Sequence, residues 1–141
     1  MSDDGVLLVI DDSEDYLDMV GMAFGQLGRA ATLTTVDDVG RAITLLASTD
    51  PVPRLVLLDL HLAGRSGLDV LRALRADART RHVPVVMLTS DDGEDSIRAA
   101  YADGASAYLR KPATFAGLRD VLRSTLDFWL DANLLPEGAS R

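Results

Sequence analysis

The chain has 141 residues, 26% of them charged and 48% hydrophobic, with a net charge of -8; that is enough for one domain with its own core and far from the basic balance that nucleic-acid binding draws on. Cysteine is absent and histidine occurs only at His61 and His82, which excludes disulfides, thiol catalysis and thiolate zinc sites and leaves a hard, oxygen-liking cation as the metal to expect. No run approaches a bilayer span and the apolar stretch of MSDDGVLLVI is too short for a signal peptide, so a soluble cytoplasmic protein with no membrane or nucleic-acid partner is the expectation.

In chain order, Val6 to Ile10 is an apolar run that reads as a buried strand and stops at Asp11, Asp12 and Ser13. From Glu14 onward, Leu17, Val20, Met22, Ala23, Phe24 and Leu27 recur at helical spacing, and Gly28 supplies the stop. Ala30 to Thr35, rich in threonine, predicts a second strand nearer a sheet edge, and Asp37 or Asp38 opens a helix through Val39, Ala42, Ile43, Leu45 and Leu46. The prolines of TDPVPR end it. Leu55 to Leu58, apolar at every position, predicts a strand buried on both faces and closed by Asp59. An aspartate at a strand end is also an ordinary turn former, so its meaning depends on what other strands deliver beside it.

Beyond Gly64 and Gly67, the residues Leu68, Val70, Leu71 and Leu74 predict a third helix that loses its pattern by Asp77. Val83 to Leu88 is a fourth strand running into Thr89, Ser90, Asp91 and Asp92. Ile97, Ala99, Ala100 and Tyr101 predict a short helix stopped by Gly104, Ala105 to Leu109 a fifth strand ending in Arg110, Lys111 and Pro112, and Phe115 to Asn133 a long last helix. Such alternation predicts an α/β fold, a doubly wound parallel sheet of five strands. The whole chain, 1–141, reads as a single domain with its core over about 6–130, an extension of the last helix and tail over 131–141, and a frayed end at PEGASR.

Parallel strands share polarity, so Asp11 and Asp12, Asp59, Thr89 and Lys111 fall along one edge of that sheet, where ligands bind in open α/β folds. Three carboxylates there repel one another unless positive charge lies between them. Mg²⁺ suits the gap, Lys111 adds a mobile charge and Thr89 a hydroxyl donor, which are the parts that phosphoryl transfer demands. Asp59 is then the candidate nucleophile, a carboxylate able to carry an acyl phosphate. Neither G-x-G-x-x-G nor G-x-x-x-x-G-K-[ST] occurs, so the phosphoryl donor comes from elsewhere.

Asp11-Asp12, Asp59, Thr89-Ser90 and Lys111-Pro112, each behind its strand, resemble the receiver domain of two-component response regulators over about Val6 to Leu130. The resemblance implies a flavodoxin-like sheet in the order 2-1-3-4-5 and phosphoryl transfer to Asp59 from a phosphohistidine on a sensor histidine kinase, with later self-dephosphorylation. It implies Mg²⁺ held by Asp12, Asp59 and the backbone carbonyl of His61, with Asp11 acting through water. Thr89 and Lys111 would bind phosphoryl oxygens, and Tyr108, which on its own reads as a half-buried strand aromatic, would be the aromatic switch. It also implies a cis bond at Lys111-Pro112. This chain departs from the family's usual pattern at Ala63, where proline is common, and at Ser66, where an acidic residue is common; a less rigid loop is expected, with the chemistry untouched. His61 and Asp91 stand where the family tunes phosphoryl lifetime, and His61 reads either as an orienter of hydrolytic water or as a solvent-facing turn residue.

In the last helix, Leu118, Leu122, Thr125 and Trp129 form one stripe for the sheet, and Val121, Phe128, Ala132 and Leu135 form a second. The second stripe fits a homodimer or partner surface, or else a loosely packed core helix. The FWL and LLP pieces resemble single-domain regulators paired with phytochrome-type kinases, and the chain reads as a receiver without an effector domain. The alternative is a phosphatase resembling the haloacid dehalogenases, whose general acid would have to stand where His61 does.

Overall fold

The computed structural model describes residues 4–136. Five strands, β1 (Val6–Ile10), β2 (Thr32–Val36), β3 (Leu55–Leu58), β4 (Val85–Thr89) and β5 (Ala107–Arg110), alternate with α1 (Glu14–Leu27), α2 (Val39–Ser48), α3 (Leu68–Ala76), α4 (Glu94–Ala102) and α5 (Phe115–Leu126). All strands pair in parallel, in the order β2-β1-β3-β4-β5. Burial follows that order. Every residue of β3 and β4 is buried, whereas the edge strands β2 and β5 stay half-exposed, as the threonines of β2 lead one to expect.

Side chains alternate across each strand and so build two cores. Leu8, Ile10, Val56, Leu58, Val85 and Met87 face α2, α3 and α4, packing on Ala42, Leu46, Leu71 and Leu74. Leu7, Val9, Leu55, Leu57, Val86 and Leu88 face α1 and α5, packing on Val20, Ala23, Leu118, Leu122 and Leu126. The helix starts are chemical: the Ser13 hydroxyl accepts from the Tyr16 amide, the Asp38 carboxylate from Arg41 and the Thr114 hydroxyl from Gly117. Gly28 ends α1 with a left-handed φ of 64°. Among the described residues no helix is long and apolar enough to cross a membrane.

Several details differ from the sequence expectation. Strand β4 begins at Val85 rather than Val83, because Pro84 has no amide to give the ladder, and β2 and β5 also start two residues late. Pairs His61–Leu62 and Arg65–Ser66 form an unforeseen antiparallel hairpin after β3. The last helix is not one α-helix to Asn133; it widens beyond Leu126 into a π-helical turn, Asp127–Ala132, closed by the Asn133 amide on the Phe128 carbonyl at 2.7 Å. That turn carries Leu130 into the core beside Leu126, leaves Trp129 only half-buried and Phe128 51% exposed. The cis bond is Asp50-Pro51, and Lys111-Pro112 is trans, the commoner isomer for X-Pro. Of the segment expected to fray, residues 137–141 lie outside the described part of the chain.

Candidate functional site

Sheet register assembles the site. Ile10 of β1 pairs with Leu58 of β3, so the residues that follow, Asp11 and Asp59, leave the sheet side by side; the Asp59 amide donates to the Ile10 carbonyl at 2.9 Å. On the other side Thr89 of β4 pairs with Arg110 of β5, and the Lys111 amide donates to the Thr89 carbonyl at 2.9 Å. Four segments thus deliver Asp11, Asp12, Asp59, Thr89 and Lys111 to one edge, as expected.

One carboxylate oxygen each from Asp11, Asp12 and Asp59 lies within 4.8 Å of the others. Lys111 Nζ bridges two of them, at 2.6 Å from Asp11 and 3.0 Å from Asp59. Asp11 and Asp59 are only 2% and 7% exposed, so this pairing is what makes their charge tolerable there. Burial nevertheless pushes the Asp11 carboxyl above its ordinary range, against the pull of Lys111 and of the Ser13 amide. Burial also opposes the Lys111 ammonium, but the hydrogen bonds and charges of Asp11 and Asp59 outweigh it and raise its pKa. The ammonium sits 4.1 Å from the centroid of the Tyr16 ring, a cation–π contact that fixes its position. Burial, then the charges of Asp11 and Asp59, hold the Tyr16 phenol well above its usual value.

Asp12 is exposed, and its carboxylate accepts from the Ala63 amide at 2.9 Å. Gly67 passes so close to the site that a Cβ there would lie 2.0 Å from the Asp59 carbonyl oxygen. Thr89 is buried, with its hydroxyl accepting from the Asp91 amide at 3.3 Å. Asp91 is a junction. Its carboxylate accepts from His61 Nε2 at 2.7 Å, Ser96 at 2.7 Å and the Gly93 amide at 2.9 Å, and its carbonyl accepts from the Tyr108 hydroxyl at 2.6 Å. Those three donors, His61 foremost, pull the Asp91 carboxyl down to about 2. Burial, with the charges of Asp91 and Asp59, pushes the Tyr108 phenol up to about 12.

Sequence reasoning did not single out Tyr16, Gly67 or the amide of Ala63. The first is a helix residue whose ring reaches Lys111 across 95 residues of chain, and the other two act through backbone that leaves no compositional signal. At Ala63, where the resemblance leads one to expect proline, the backbone amide contacts one of the three carboxylates.

A doubly wound parallel sheet with buried carboxylates, a lysine and a threonine at its carboxyl edge defines the class, and comparison with known proteins gives the family. Residues 7–123 match the response regulator receiver domain. The chain is 30% identical over 138 residues to the probable methanogenesis regulatory protein FilR2 of Methanothrix harundinacea, covering 95% of this chain and 89% of that one. Its fold superposes on the phosphorylated cyanobacterial phytochrome response regulator RcpA with a TM-score of 0.86 at 26% identity, covering 94% and 98% of the two chains. The Mn²⁺-bound response regulator Rcp1 gives 0.82 at 28% identity, covering 93% and 98%. The chain belongs to the response regulator receiver domain family, a family of signalling domains. A haloacid-dehalogenase-like phosphatase has no support in these matches.

Proposed function

We propose that the chain is a phosphoryl-accepting switch in which Asp59 takes a phosphoryl group from a phosphohistidine of a sensor histidine kinase. The observation that carries this reading is the set of three carboxylates within 4.8 Å of one another, two of them bridged by one lysine at 2.6 and 3.0 Å. An Asp59 carboxylate oxygen attacks phosphorus; the P–O bond forms as the P–N bond breaks, and the electron pair leaves with the imidazole. Attack by water later breaks the P–O bond, releasing inorganic phosphate and restoring the carboxylate.

The residues fit a hard divalent cation. The donors are all oxygen, and Lys111 sets one positive charge against three carboxylates. Asp11, Asp12, Asp59 and the backbone carbonyl of His61 would hold Mg²⁺, and the Mn²⁺-bound relative supports the assignment. When bound, the ion supplies charge neutralisation for the carboxylates and for the oxygens of the incoming phosphoryl group. Lys111, already placed by Tyr16, pairs with one of those oxygens, and the Thr89 hydroxyl donates to another.

Tyr108 is the switch residue of this proposal. Its hydroxyl is bonded to Asp91, and the Asp91 amide is bonded to Thr89, so a shift of Thr89 toward phosphate moves the acceptor that holds the ring. The surface being switched includes α4, β5 and the last helix, where exposed Phe128 and half-buried Val121 and Trp129 border an apolar cleft of about 450 Å³. A homodimer through the last helix and tail is part of the proposal, as is a phytochrome-type kinase partner, supported by the likeness to RcpA. Cytoplasmic action fits a chain without cysteine, and the net negative charge speaks against nucleic acid as partner.

The test is incubation with acetyl phosphate and Mg²⁺, peptide mapping by mass spectrometry and light scattering before and after. One acid-stable, alkali-labile phosphate on Asp59, absent in Asp59→Asn, is the expected result. Labelling elsewhere, or steady turnover of a generic phosphate monoester that survives Asp59→Asn, overturns the proposal.

A further inference from the structure

Resting on that reading of the site, we infer that the backbone amide of Ala63 is a positioning group for the metal, and that it acts by fixing the Asp12 carboxylate. The three carboxylates are not equally constrained. Asp11 is buried and held by the Ser13 amide and by Lys111; Asp59 is buried and held by Lys111. Asp12 is exposed, and among the described residues the Ala63 amide, 2.9 Å from Oδ2, is its one hydrogen-bond donor. Without that bond an exposed aspartate is free to turn among rotamers, and each ion bound has to order it again.

The bond exists because of the hairpin. His61 pairs with Ser66 and Leu62 with Arg65, leaving a loop of Ala63 and Gly64. Both loop residues have positive φ, 45° and 85°, as a two-residue turn of the type I′ class requires. A residue with a Cβ adopts such a φ only where its surroundings hold it there, and here the bond to Asp12 is among them. Proline, with φ fixed near -65° and no N–H, could neither take this conformation nor make the bond. Alanine at a position where the resemblance leads one to expect proline is therefore what connects the hairpin to the acidic cluster. That the hairpin also carries His61, whose carbonyl is a proposed ligand, ties two parts of the ion site to one small element.

The decisive variant replaces Ala63 with lactic acid by ribosomal incorporation, exchanging the N–H for an ester oxygen while keeping the side chain. Mn²⁺ binding is read from the electron paramagnetic resonance signal of free Mn²⁺, and far-ultraviolet circular dichroism checks the fold. The ester variant is expected to bind Mn²⁺ about tenfold more weakly, as loss of a group that orients a ligand typically does, and Ala63→Gly, which keeps the N–H and relieves the φ, to bind like the parent. Acetyl phosphate labelling of the ester variant should return to the parent's rate at raised Mn²⁺. Equal Mn²⁺ affinity of ester and parent overturns the inference and leaves the metal reading standing. Absence of saturable Mn²⁺ binding by the parent overturns both, and loss of affinity in Ala63→Gly equal to that of the ester shows that loop conformation rather than the N–H matters.

Discussion

Gly67→Ala sets two effects of opposite sign against each other. At Gly67 the backbone is helical, with φ -59° and ψ -21°, so alanine fits the local conformation and, by narrowing the unfolded ensemble, would stabilise by ~0.4–1 kcal/mol. The added methyl, however, would lie 2.0 Å from the Asp59 carbonyl oxygen, 3.1 Å from its carbon and 3.2 Å from the Leu60 Cα. All three are backbone atoms. Reaching even a tight 3.0 Å separation needs about 1 Å of movement, and it strains the bond from the Gly67 amide to the Leu60 carbonyl. Overpacking of this kind costs ~1–3 kcal/mol, the upper end where no flexible side chain can yield. The net expectation is a destabilisation of about 1–2 kcal/mol, measured by urea denaturation. Because the atoms that move belong to the proposed phosphoryl acceptor, labelling of Asp59 by acetyl phosphate should slow by roughly a hundredfold, the usual penalty for a reacting group displaced by 1 Å. A Gly67→Ala protein as stable as the parent and labelled at the same rate would refute the reasoning.

Lys111→Met removes the cation bridging buried Asp11 and Asp59; a stability loss of ~3 kcal/mol at pH 7 is expected, measured by denaturant titration. Part of it should return at pH 5. Asp11, whose folded pKa is already raised, binds its proton more tightly in the folded chain than in the unfolded one, so stability rises as pH falls toward that range; an equal loss at both pH values would contradict this. For Asp91 the sign is the reverse. Its folded pKa of about 2 lies below the ordinary 3.8, so its contribution is present above 3.8 and is lost as pH falls toward 2; Asp91→Asn should flatten the acid limb of the stability curve in that window. Arg29→Ala frees Asp4, Asp127 and Asp131 at once, and faster amide exchange confined to the π-helical turn is expected, with the parent approaching the variant at high salt.

What the sequence made legible, and what it hid, divides along the range of the forces involved. Strands β1, β3 and β4 were readable because burial on both faces demands unbroken apolar runs. Asp11 and Asp59 were readable because each ends such a run at the same relative place, with Asp12 directly behind Asp11. The hairpin at 61–66 was not, since two-residue strands carry no periodicity and its turn contains Ala63 at a φ of 45°, which residue type argues against. The π-helical turn was equally hidden: the apolar spacing continues through Trp129, and only the docking of Leu130, the Arg54 bond to its carbonyl and the Arg29 ion pairs favour the wider turn. These contacts join residues up to 102 apart in the chain.

The amino-acid order alone determined the class of fold and the polarity of the sheet, and it singled out Asp59 as the candidate acceptor, because hydrophobic patterning and the chemistry of strand ends are local properties. Only the tertiary structure decided that Lys111 bridges Asp11 and Asp59, that Tyr16 lies beneath it, that Tyr108 and Thr89 meet at Asp91, and that Ala63 holds Asp12. Each of those is a matter of distances near 3 or 4 Å between segments far apart along the chain. Such distances follow from strand register and helix docking, and no short stretch of sequence contains them.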